Sequence, residues 1–286
     1  MQRVTLNRAT MRVAETTKVS GRVTAESIKY GVWAKKQSAP PRKRLFARFL
    51  LAAGAMLLSV TSYGQAINSV PYTITQPGAY FLNKDLVYSP LTGTAISINS
   101  SNVILDFGGH VLTGSRTFFS PNQATGVALA TNNQPIENVT IRNGTISGFQ
   151  RGIFLAGVNE GASSTGHVVE EMHITAITST TTVTAGIDLG GAQGCLISNN
   201  FVNNVSNGIG SAFTGIGQCQ FIHNRVINCN IGFLCASANN SNYLESNFAS
   251  NCGTGFICAS DKLRFNTTTA CTTPFFGGTP ITDDNN

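Results

Sequence analysis

Between Ala185 and Cys271 one short phrase occurs four times, and that repetition constrains the fold more than any other feature of the chain. Ala185-Gly-Ile-Asp-Leu189 returns as Asn207-Gly-Ile209, Ile231-Gly-Phe-Leu-Cys235 and Thr254-Gly-Phe-Ile-Cys258. Its glycines fall at 186, 208, 232 and 255, spacings of 22, 24 and 23 residues. A period in the twenties marks a solenoid, in which each repeat buries its apolar face only against its neighbours. Each phrase is followed by a second one: Ile197-Ser-Asn-Asn-Phe-Val-Asn-Asn-Val205, then Phe221 to Cys229, then Leu244 to Cys252. Each coil therefore carries at least two short strands.

Upstream, looser copies precede these. Ala95–Ile98 pairs with Asn102–Leu112, Gly126–Leu129 with Asn138–Ile146, and Gly152–Leu155 with Val169–Ile174. The extra length lies between phrases, in Ser115–Thr125, Gly157–Gly166 and Ser179–Ala185, which are rich in Gly, Ser, Thr or Asn. Such inserts become loops, often on one face. Because successive strand residues point to opposite faces, the residues one and three after each glycine are expected inside: Ile153 and Leu155, Ile187 and Leu189, Phe233 and Cys235, Phe256 and Cys258. In the second strands, Ile141, Ile197, Phe221 and Leu244 form one inward column, and Ile146, Val202, Val226 and Ala249 another.

Charge divides the chain. Through Ala66 there are 12 Lys and Arg against 2 Glu, which leaves 7 Lys and Arg and 11 Asp and Glu from Ile67 onward, a net of −4. The basic pI therefore belongs to the leader, and a nucleic-acid partner is not expected. Arg42-Lys43-Arg44, the apolar run Phe49–Val60 and Gly64-Gln65-Ala66 have the order of a secretory signal peptide with cleavage after Ala66. Twelve apolar residues are short of the ~20 that span a bilayer. Residues 1–66 are thus expected to be a leader and 67–286 the solenoid domain, of an exported protein that is secreted, periplasmic or at the cell surface, with no stable membrane span once the leader is removed. The segment before Val32 leaves two explanations open: translation begins nearer Val32, or the segment is a long extended n-region.

The Gly-Ile-x-Leu and Asn-Val-x-Ile-x-Asn-Gly-x-Ile phrases, over roughly Thr94 to Ala270, resemble the right-handed parallel β-helix repeat proteins of the pectin-lyase-like group. Asn102-Val-Ile-Leu-Asp-Phe-Gly-Gly-His-Val-Leu-Thr-Gly114 looks like the first full coil of secreted bacterial members. The resemblance implies an all-β, single-stranded right-handed parallel β-helix with three parallel sheets per coil. About seven coils are expected from near Tyr72 to near Ala270, roughly 34 Å at ~4.8 Å per coil. It imports no catalytic set, because Gly109-His110 is followed by Val111 and the carboxylate cluster of polygalacturonases is missing.

Candidate residues are few. Asp106, Arg142 and Glu170 each follow an inward residue and so face outward on consecutive coils. The plain expectation for them is an ion-pair ladder of ~0.2–1 kcal/mol per pair. The functional one is that Arg142, with Arg151 and Arg116 near it, neutralises a sugar carboxylate while a neighbouring carboxylate or His110 acts as base. Phe118, Phe119, Phe149 and Phe154 are the aromatics available for sugar stacking. Asn200, Asn224, Asn247 and Asn266, with Gly144 at the earlier equivalent, form a column expected to hydrogen-bond along the axis. The seven cysteines also form columns, Cys195 over Cys219, Cys229 over Cys252 and Cys271, and Cys235 over Cys258. Stacked residues ~4.8 Å apart suit thiols better than disulfides, whose Cβ atoms sit ~3.8 Å apart. No Cys-x-x-Cys occurs, so no metal or other cofactor is expected, calcium excepted if the protein is a lyase. The leading function is binding or presentation to extracellular polysaccharide. A uronate-polymer lyase and a structural surface solenoid are the alternatives.

Overall fold

The structure, a computed structural model, describes residues 64–115, 123–130, 134–155, 164–175, 185–211, 217–235, 242–258, 261–277 and 279–280. Every element among them is a strand, and every strand pairing is parallel. The strands fall into three rows but only two sheets. One sheet has nine strands, Tyr72–Ile74, Thr94–Ile98, Thr125–Leu129, Arg151–Phe154, Ala185–Asp188, Asn207–Ser211, Ile231–Cys235, Thr254–Cys258 and Thr273–Phe276, each beside the next. The other has sixteen strands in two rows, fused where the long strands Val139–Ser147 and Val168–Thr175 run through the corner that elsewhere divides the rows. That is why two sheets stand where the family resemblance implies three.

Alternation sets the core as the pattern requires. Ile141, Val169, Ile197, Phe221 and Leu244 are in consecutive register and wholly buried. Ile146, Ile174, Val202, Val226 and Ala249 form the second column. In the nine-stranded sheet the rings of Phe233, Phe256 and Phe275 stack nearly parallel at 4.7 and 4.9 Å, the strand spacing itself.

The repeated glycine has a steric cause. A Cβ on Gly208 would overlap the Gly232 carbonyl oxygen and Val226 Cγ1, because the next coil's backbone and a core side chain both close on this strand position. The asparagines have a conformational one. Asn199, His223, Ser246 and Phe265 occupy one corner, and Asn204, Asn228, Asn251 and Ala270 the next, all with φ between 50° and 56°. Asn tolerates this left-handed region better than other non-glycine residues, and His223 does stand at the place of Asn199. At the N-terminal end, Gln65–Ile67 pairs with Tyr80–Leu82, so the last two residues of the expected leader lie in a strand. The apolar run Phe49–Val60 lies outside the described residues. No helix among the described residues is long and apolar enough to cross a membrane.

Candidate functional site

The outer face of the nine-stranded sheet carries a recess of about 430 Å³ lined by Thr94, Ser97, Gln123, Thr125, Arg151 and Phe154, among others. Arg151 is in register with Thr125, and Phe154 with Asp188 one strand on. The Arg151 guanidinium lies over the Phe154 ring, 4.4 Å from its centroid, and its Nε is 3.6 Å from Asp188 Oδ2. Asp188 Oδ1 accepts the Gly190 N–H at 3.0 Å, which fixes the carboxylate and through it the guanidinium. A flat cation on an aromatic face, rimmed by hydroxyls and an amide, suits a ligand with both C–H faces and oxygen acceptors. Asp188 stands inside the repeat phrase, between inward Ile187 and Leu189, and its outward charge was the sequence signal for this partnership.

The structure separates the other candidates from Arg151. Arg142 is in the sixteen-stranded sheet, in register with Asp106 before it and Glu170 after it. Arg142 Nε meets Asp106 Oδ2 at 2.9 Å. Asp106 Oδ1 accepts N–H groups from Gly108 at 2.8 Å and Asn143 at 3.2 Å. Partial burial raises the Asp106 pKa, but these hydrogen bonds and Arg142 together hold it below the ordinary value. Its acceptor sites are taken by structure, and Glu170 forms no ion pair with Arg142. His110 Nδ1 faces Asp85 Oδ1 at 3.2 Å, and the same oxygen accepts the Val111 N–H at 3.0 Å. The Val111 bond, then His110, lowers the pKa of Asp85, a residue that no repeat phrase or motif marks. Arg116, Phe118 and Phe119 lie outside the described residues, as does most of each predicted loop. Phe149 is buried in the core.

Inside the solenoid, two polar columns flank the strand row Val168–Glu170, Leu196–Ser198, Gln220–Ile222, Tyr243–Glu245. The first is the expected asparagine column. The backbone N–H groups of Met172, Asn200, Asn224 and Asn247 donate to Oδ1 of Asn200, Asn224, Asn247 and Asn266 at 2.9–3.0 Å. Each amide also donates Nδ2 to a core carbonyl, Val169, Ile197, Phe221 and Leu244 in turn. Gly144 heads the column because Phe107 fills the space its side chain would need.

The second column was not foreseen as one object. It comprises His167, Cys195, Cys219, Asn242 and Asp261, linked by the same bond. Val139 N–H donates to His167 Nδ1 at 3.3 Å, Cys195 N–H to Cys219 Sγ at 3.4 Å, Cys219 N–H to Asn242 Oδ1 at 3.1 Å and Asn242 N–H to Asp261 Oδ1 at 2.8 Å. Burial lowers the His167 pKa to about 4 and raises that of Asp261. All seven cysteines are free thiols, stacked in the predicted pairs. Cys235 and Cys258, in register, lie beside Asp261, and among the described residues these three form the group that could hold a metal.

No protein-family model matches the chain, and no curated protein matches it. Among solved structures, it is similar to ORF18 of Geobacillus virus E2, at 11% identity and a TM-score of 0.30 over 88% of this chain; it spans 65% of the virus chain. It is also similar to the A-module of the mannuronan C-5 epimerase AlgE4 of Azotobacter vinelandii, at 12% identity and a TM-score of 0.20, covering 72% of this chain and 91% of that one.

Proposed function

We propose that this chain is an exported, right-handed parallel β-helix of the pectin-lyase-like kind that binds acidic extracellular polysaccharide on the outer face of its nine-stranded sheet. The observation that carries this is the Arg151–Phe154 platform in the recess, held by Asp188. A sugar ring stacks its C–H face on an aromatic, and a uronate carboxylate pairs with a guanidinium through charge-assisted hydrogen bonds. Binding is favoured over eliminative cleavage because a lyase needs a base and concentrated positive charge at one place. Arg151 is half-neutralised by Asp188, while Arg142 belongs to the other sheet and His110 stands just before its strand Val111–Gly114.

The test is calorimetric titration with pectate, alginate and neutral dextran, with and without calcium. The acidic polymers should bind and dextran should not, and Arg151→Ala or Phe154→Ala should weaken binding roughly tenfold or more, about 1.4 kcal/mol. Arg142→Ala should leave it unchanged. Binding that survives both recess variants rejects the site, and release of unsaturated uronate products, read by absorbance, replaces binding with lyase activity.

A further inference from the structure

Where the nine-stranded sheet ends and the next strand row begins, the strands Ile231–Cys235 and Thr254–Cys258 finish on stacked Cys235 and Cys258. The chain then crosses two residues to Asp261, a Cys-x-x-Asp spacing that brings both side chains to one corner. Cys235, Cys258 and Asp261 are 1%, 0% and 0% exposed, and their sulfur and carboxylate oxygen atoms all lie within 4.8 Å of one another.

Asp261 is the informative member. Its Oδ1 accepts two hydrogen bonds from Asn242, from the backbone N–H at 2.8 Å and from Nδ2 at 2.9 Å. Asn266, five residues on, receives the same pair from Asn247, at 3.0 and 2.9 Å, and donates its own Nδ2 to the Leu244 carbonyl at 2.7 Å. An amide is therefore sufficient for the ladder. A carboxylate forfeits the donated bond and leaves Oδ2 buried without a nitrogen or oxygen partner, so the weak Cys258 thiol beside it is what remains to the carboxylate in place of that bond.

We propose that Cys235, Cys258 and Asp261 form a binding site for a thiophilic divalent cation, zinc by chemical class. Two sulfurs and one carboxylate oxygen are a zinc donor set, and three protein ligands leave the fourth tetrahedral position open. Tetrahedral zinc with Zn–S of ~2.3 Å sets its sulfurs about 3.8 Å apart, within reach of small side-chain adjustments. Binding converts two thiols to thiolates and releases two protons to solvent, while Oδ2 donates as a carboxylate. Asn242 is the outer residue that aims the carboxylate, with Oδ1 occupied and Oδ2 turned to the cation.

The full chain, reduced and stripped with a chelator, is titrated with Co²⁺ and then Zn²⁺. One equivalent of Co²⁺ should produce a thiolate-to-cobalt charge-transfer band of two-thiolate intensity, with release of two protons, and Zn²⁺ should abolish it. Cys258→Ser and Asp261→Asn should weaken binding at least 100-fold, Asn242→Ala ~10–100-fold, and Cys229→Ser not at all. Zn²⁺ should raise the Tm of the wild type and leave that of Asp261→Asn unchanged. Should the variants not fold, the wild-type band decides alone: no band, or one of single-thiolate intensity, overturns the site. So does undiminished affinity in Asp261→Asn, or a Cys235–Cys258 disulfide that persists under reducing conditions.

Discussion

The two polar columns inside this solenoid perform one task with different chemistry. Both accept, at each coil, a backbone N–H from the coil before, and both are buried. The asparagine column uses one residue type throughout, and each amide is donor as well as acceptor, so every member is satisfied by its neighbours. The other column changes chemistry along its length, from imidazole to two thiols to amide to carboxylate. Three buried side-chain polar atoms have no partner among the described residues: Ser164 Oγ, His167 Nε2 and Asp261 Oδ2. Two of them belong to the mixed column and none to the asparagine column. A self-complementary ladder is a stability device, whereas a ladder that leaves polar atoms over holds groups that titrate or bind.

The sharpest way to break this comparison is to interrupt the uniform ladder at its middle. Asn224→Leu removes the acceptor for the Asn200 N–H and the donor to the Ile197 carbonyl. With ~1–3 kcal/mol for each orphaned buried group, the loss should be roughly 4 kcal/mol by urea unfolding. A loss no larger than that of Asn→Leu at an exposed strand end would mean the ladder is decorative.

Acid should distinguish the columns next. Val139 N–H donates to His167 Nδ1, so the ring is neutral with its proton on Nε2, and protonation would set two donors against each other. Since the folded pKa is about 4 and the unfolded one ~6.5, the folded state binds fewer protons in between. Stability is therefore full above pH ~6.5 and falls as pH drops toward 4, by about 3 kcal/mol. Unfolding free energies at pH 7 and 4 check this, and His167→Gln should flatten the dependence while Asn224→Leu should not.

A smaller effect of opposite sign is expected at the end of the mixed column. Burial raises the Asp261 pKa, so the fold prefers the neutral acid and carries a penalty that appears as pH rises through the carboxylate range and persists at neutrality. In chelator-treated protein at pH 7, Asp261→Asn should therefore stabilise by about 1 kcal/mol. With zinc present the order should reverse, and a destabilised metal-free variant would show that the carboxylate already has its partner. The smallest effect belongs to the surface. Asp106→Asn breaks the half-exposed pair with Arg142 and should cost under ~1 kcal/mol, diminishing further in salt.

What the sequence determined by itself is whatever recurs once per coil as the same or a similar residue. The glycine at each inward turn, the alternating core columns, the stacked thiols and the asparagine ladder were legible because identical residues at a near-constant period must share one environment. The mixed column has the same period, since each member stands five residues before a ladder position: 195 before 200, 219 before 224, 242 before 247 and 261 before 266. It stayed hidden because His, Cys, Asn and Asp look unrelated as letters and become equivalent only as hydrogen-bond acceptors. Tertiary structure alone decided the rest. Arg142 and Arg151 are nine residues apart, yet the corner after Ser147 sends them to different sheets, so closeness along the chain said nothing about a shared site. Arg151 instead meets Asp188, and Cys235 meets Asp261, because parallel register brings residues from neighbouring coils to one strand spacing however many lie between them.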